Sequence, residues 1–192
     1  MDFAGLKARL KLPDSAESNW HRHVNTMEDG TKMEGGWVQD TASVAPTVFV
    51  GENAIIGANA RVDGHVRIED YAIVAGNTVS TDHACIAMKA VVTDGAIISG
   101  TSKITGNSLV DGNARICRGT VLGHAHISGN SRLEGDVLVG GHAQVRGHSH
   151  LLGTVVIAGT AIIEGSARFE GNVRVDGGVW DSGVHTGEGS KH

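Results

Sequence analysis

From Val38 onward an aliphatic residue returns at every sixth position, through Val44, Val50, Ile56, Val62, Ile68 and Val74. Ser80 interrupts the series, which then continues from Ile86 to Leu122, drops one residue from the frame, and resumes at Ile127 to end at Val175. Of the 24 positions in this frame 22 are Ile, Val or Leu, so the period belongs to the fold. Two residues before each of them stands a small or short residue, such as Ala54, Ala60, Ala72, Ser102, Ala114 or Ser131, and only Gly36 departs from that rule. A spacing of two puts both residues on the same side of a strand. Gly, Asn, Asp and His crowd the positions between, which are turn positions.

Each hexad is therefore a short strand followed by a tight turn, with one large and one small side chain pointing inward. Three such hexads close one coil of a triangular prism, and 24 hexads predict eight coils. With about 4.8 Å between stacked strands, the prism spans roughly 40 Å. This pattern resembles the hexapeptide-repeat family, and the resemblance implies a left-handed parallel β-helix. The strings Gly35-Gly36-Trp37-Val38 and Val137 to Gly147 are similar to YdcK-type hexapeptide-repeat proteins, a group described as acetyltransferases.

Outside the frame lie two flanks, so the chain divides into residues 1–36, 37–177 and 178–192. In the first, Asp2 caps a short helix in which Phe3, Leu6 and Leu10 share a side while Lys7, Arg9 and Lys11 face water, and Pro13 ends it. The helix is expected to cap the first coil; a basic membrane-surface anchor is the alternative. Trp20 to Glu34 forms a hairpin leading into the prism, and the Gly-rich tail from Gly178 frays.

Composition narrows the function. A formal charge of -5 supplies no global basic field, so neither nucleic acid nor a membrane is expected as a partner. Two Cys make no disulfide framework, no apolar run reaches the roughly 20 residues of a membrane span, and no signal-peptide pattern opens the chain. The expected location is the cytoplasm.

The candidate chemistry is spread over the coils. Acyltransferases of the resembled family carry an extruded loop and an essential His near a subunit boundary, with acyl-CoA as cofactor. The frame here has no insertion, and His83 with Asp82 and Ser80 is the catalytic candidate because a polar rung sits beside a His. The cluster His124, His126 and His142 is the metal candidate, with zinc the implied ion in a carbonic-anhydrase-like reading, since residues 18 apart stack on one corner. His65, His83, His124, His142 and His148 also share one hexad slot, which points to left-handed turn geometry.

Outward positions speak to partners. Ile55, Ile73, Val91 and Leu109 form one apolar ladder and Val121, Leu138 and Val156 a second, which together favour a homotrimer. On the remaining face Arg115, Arg132, His150 and Arg168 stack as a candidate anion site, with Arg61 farther up the same face. Asp63, Glu134 and Glu170 are placed to pair with Arg61, Arg132 and Arg168, whereas Arg115 has Cys117 in that slot. The leading expectation is a trimeric binding or scaffold module for a phosphate-bearing small molecule or a protein. A CoA-dependent acyltransferase and an end-to-end polymer are the alternatives.

Overall fold

A computed structural model describes residues 1–12 and 18–187; Pro13 and residues 188–192 lie outside the described residues. The hexads form a parallel β-solenoid of about eight coils. Ile73 pairs with Val91 and Val91 with Leu109, and the ladder is held by hydrogen bonds such as Ile73 N–H to the Ala90 carbonyl at 3.0 Å and Val91 N–H to Ser108 at 3.0 Å. Val50, Ile56, Ile68, Ile86, Ile98 and their successors are fully buried inside. Because each inward column alternates large aliphatic and small side chains, the narrow prism fills without aromatic residues along most of its length.

Three outward faces result. The first presents Trp37, Ile55, Ile73, Val91, Leu109 and His126 in succession. The second presents Ser43, Arg61, Val79, Ile97, Arg115, Arg132, His150 and Arg168. The third presents Phe49, Arg67, Cys85, Lys103, Thr120, Leu138, Val156 and Arg174.

The inward hydroxyls have a local solution. Thr78, Ser102, Ser108, Ser131 and Ser149 each donate to the carbonyl three residues earlier, at 2.6 to 2.8 Å, which satisfies the side chain within its own turn. Ser80 does not. It occupies a large-residue position between Val62 and Ile98, is fully buried, and its hydroxyl has no partner among the described residues. Ser80→Val restores the aliphatic rung and removes an unsatisfied hydroxyl. It is expected to stabilise the protein by about 1–2 kcal/mol, seen as a rise in Tm of a few degrees; a fall in Tm would show that no space waits there.

The turns differ from expectation in one respect. The left-handed residue is the one before each corner histidine: Gly64, Asp82, Gly123, Gly141 and Gly147 all have φ between 64° and 76°. The histidines themselves give their backbone N–H to the next coil, as His124 does to Gly141 at 2.7 Å and His142 to Gly159 at 2.7 Å. At three of the left-handed positions that are not Gly, an aspartate side chain recovers part of the conformational cost. Asp70, Asp82 and Asp94 each accept the N–H of the residue stacked below, at 3.0, 2.8 and 3.2 Å. Arg118, with φ 65°, has no such bond.

Arg118 also marks the missing residue. Val121 is fully buried and pairs with Ile104 and Val139, so the coil is shortened between Ile116 and Val121, and Leu122 turns outward. Gly119 takes the small-residue slot there. Consequently the third-face ladder runs through Thr120, and Val121 is a core residue, not an interface residue.

The N-terminal segment does not sit as expected. Helix α1 (Phe3–Leu10) is capped by Asp2, whose carboxylate accepts the Gly5 N–H at 2.8 Å, and it ends with Lys11 in the left-handed conformation. It lies on the flank of the first face: Leu6, Trp20 and Ile55 form a buried cluster edged by Phe3, Leu10, Trp37 and Ile73. Ile55 is thereby fully covered within the chain and is not available to a partner.

The prism's end is covered instead by the hairpin of β1 (Trp20–Thr26) and β2 (Lys32–Gln39). The buried Asn25 amide imitates a neighbouring strand, donating to the Val50 carbonyl at 2.9 Å and accepting its N–H at 2.8 Å. His23 Nε2 meets the Val48 carbonyl at 3.0 Å, and burial pulls its pKa down, which disfavours the charged ring in the hairpin.

At the other end residues 178–187 continue the coils instead of leaving them. Val179–Trp180 pairs with Ile162–Ile163, and Val184–Thr186 pairs with Arg168–Glu170. Among the described residues no helix is long and apolar enough to cross a membrane.

Candidate anion-binding face

The second face gathers the strongest unbalanced charge. Arg115 and Arg132 are direct strand partners, one coil apart, and both are exposed. Neither makes a hydrogen bond or ion pair with the described residues. His150 and Arg168 continue the column in register. Arg168 is bonded to Glu170 two residues along its own strand.

Glu134, expected to serve Arg132, stands 3.7 Å from His150 Nε2 instead. Asp63, expected to serve Arg61, is turned onto the Gly64 N–H at 2.7 Å. The short Asp63 side chain is captured by the nearer corner N–H, whereas Glu134 leans toward the next coil. Stacked guanidinium groups repel, by about 1 kcal/mol per pair at 4 Å in water, so an anion placed across Arg115 and Arg132 gains from both and relieves that repulsion.

The catalytic candidate does not assemble. Ser80 points into the prism while His83 is exposed on a corner, so the wall of the solenoid separates them. Asp82 spends its carboxylate on the Gly100 N–H, and His83 stacks on His65 with ring centroids 5.3 Å apart.

The metal candidate comes together only in part. His124 and His142 stack face to face at 4.9 Å with their planes 4° apart. His126 stands on the neighbouring strand and is held by Asp111 at 2.9 Å. Among the described residues no three His, Cys, Asp or Glu side chains form a group able to hold a metal ion. Cys117 is exposed, whereas Cys85 is half-buried with its thiol pKa raised by burial, which disfavours the reactive thiolate.

Of the apolar ladders, Ile73, Val91 and Leu109 on the first face and Leu138 and Val156 on the third remain half-exposed; Leu122, beside Leu138, belongs with them. Sequence spacing missed Leu122 because Val121 beside it is equally aliphatic.

The chain matches no family in a comparison with protein-family models, and none of the curated proteins in a search of them.

Proposed function

We propose that this chain is a non-catalytic scaffold of the hexapeptide-repeat, left-handed β-helix kind, homotrimeric, which holds a small phosphate-bearing molecule on its second face. One observation carries the reading: Arg115 and Arg132 are stacked in register, exposed and uncompensated. The unbroken run of coils supports a rigid platform. The half-exposed ladders through Leu109 and Leu138 offer surface for like subunits.

The geometry makes phosphate the suitable group. Arginine forks bind phosphate oxygens in pairs, and two forks about 4.8 Å apart along the coil axis span a diphosphate. Isothermal titration with pyrophosphate at low ionic strength tests this. Wild type is expected to bind, and Arg115→Gln and Arg132→Gln are each expected to weaken binding at least about tenfold without changing Tm. Equal affinity in wild type and both variants removes the proposal.

A further inference from the structure

A separate hollow of ≈ 590 Å³ opens at the N-terminal end of the second face, lined by Thr41, Ser43, Asn59, Arg61, Asn77 and Val79. Arg61 lies three coils above Arg115, through Val79 and Ile97, or about 14 Å along the axis. The two places are therefore distinct, and this inference does not rest on the Arg115–Arg132 reading.

The hollow's hydrogen-bonding groups are unevenly committed. Arg61 is exposed, and with Asp63 turned onto Gly64 it has no acidic partner among the described residues. The Ser43 hydroxyl makes no bond to the described residues. Asn59 and Asn77 stack with their amides 3.4 Å apart, and both exposed side chains carry donors and acceptors that a ligand can reach. Thr41 has given its proton to the Ala58 carbonyl at 2.5 Å, so its oxygen can only accept. Half-buried Val79 supplies a small apolar surface.

One fixed positive charge, neutral donors and acceptors on the adjoining corner, and an aliphatic contact describe a ligand with one anionic group and several hydroxyls on a carbon frame. The volume lies within the range of small-molecule sites and accommodates a hexose monophosphate. We propose that this hollow binds a phosphorylated polyol of the hexose monophosphate class, with Arg61 on the phosphate, Asn59, Asn77 and Ser43 on hydroxyl groups, and Val79 under the C–H face.

Titration with glucose 6-phosphate, glucose and inorganic phosphate tests it. Glucose 6-phosphate is expected to bind at least about tenfold more tightly than either part alone, because charge and hydroxyl contacts act together. Arg61→Gln is expected to reduce that affinity at least about tenfold, and Asn77→Ala to reduce it about fivefold while leaving phosphate binding unchanged. Arg115→Gln, which weakens the pyrophosphate site of the preceding proposal, is expected to leave it unaltered. Inorganic phosphate binding as tightly as the sugar phosphate, indifference to Arg61→Gln, loss through Arg115→Gln, or no binding by wild type at millimolar concentration each overturns the assignment.

Discussion

Gly36→Ala is expected to lower the stability of the N-terminal end by about 3 kcal/mol, a large effect for one methyl group. Gly36 lies where β2 leaves the hairpin and becomes part of the first coil, and it is buried. A Cβ there would stand 2.3 Å from the Ala54 carbonyl oxygen, 2.5 Å from that of Gly51 and 2.9 Å from Val50 Cγ1. Two of the three are backbone atoms of the adjoining turn, which cannot rotate out of the way. The strain therefore falls on the seating of β2 against Val50 and Ala54, and with it on the Asn25 bridge to Val50. Hydrogen exchange reads this locally: the Val50 amide, which donates to Asn25 Oδ1 at 2.8 Å, is expected to lose protection before amides of the central coils do. An unchanged Val50 exchange rate would contradict the close approach.

Phe169→Ala is expected to cost about 4 kcal/mol and to release the final strands. The C-terminal end is closed by rings in place of the aliphatic rungs. Phe169 is fully buried, with Trp180 edge-on at 5.7 Å and His185 tilted at 4.6 Å, and Trp180 and His185 themselves meet at 4.8 Å. Removing the phenyl ring leaves a cavity beneath Trp180 and His185, whose side-chain hydrogen bonds to the Gly177 and Ser182 carbonyls are local to the last turns, while Val179 and Val184 are 64% exposed and contribute little burial. The pairing of Arg168–Glu170 with Val184–Thr186 then depends on backbone hydrogen bonds alone at a sheet end. Hydrogen exchange over residues 179–186 is expected to approach the unprotected rate, while Ile98 and Ile116 keep theirs. A cooperative loss of protection along the whole solenoid would instead mean that the plug and the coils form one unit.

The coils were legible because one physical constraint repeats. A narrow closed prism accepts only a large aliphatic and a small residue at fixed positions, and Val38 to Ile116 obeys it with a single lapse at Ser80. Legibility failed where two residues satisfy the same constraint. Val121 and Leu122 are both aliphatic and Thr120 passes for a small residue, so spacing alone put the shortened coil one step late; Gly119 in the small slot was the available signal.

It failed again where the element changes its chemistry. Trp180 and His185 stack beneath the prism without being aliphatic, and Ile163 to Trp180 is a step of 17, so the last strands fell out of the frame. Docking of α1 on Ile55, and not on the prism's end, is a contact between distant residues that no local period encodes.

The site was less legible than the fold. Register follows from coil length, so the stacking of Arg115, Arg132, His150 and Arg168 could be counted directly. Ion pairing could not, because Glu134 had a choice between Arg132 and His150, and Asp63 between Arg61 and a backbone N–H. Ser80 and His83, three residues apart, stand on opposite sides of the wall, because adjacency in a strand-and-turn repeat says nothing about inside and outside until the frame is fixed.

Native mass spectrometry of the gently purified protein tests the central claim most directly, since it weighs the assembly and whatever stays bound together. The account predicts three chains carrying a phosphate-bearing anion that is absent from the Arg115→Gln and Arg132→Gln double variant. A single chain with nothing bound, or a bound mass that the double variant retains unchanged, would contradict it.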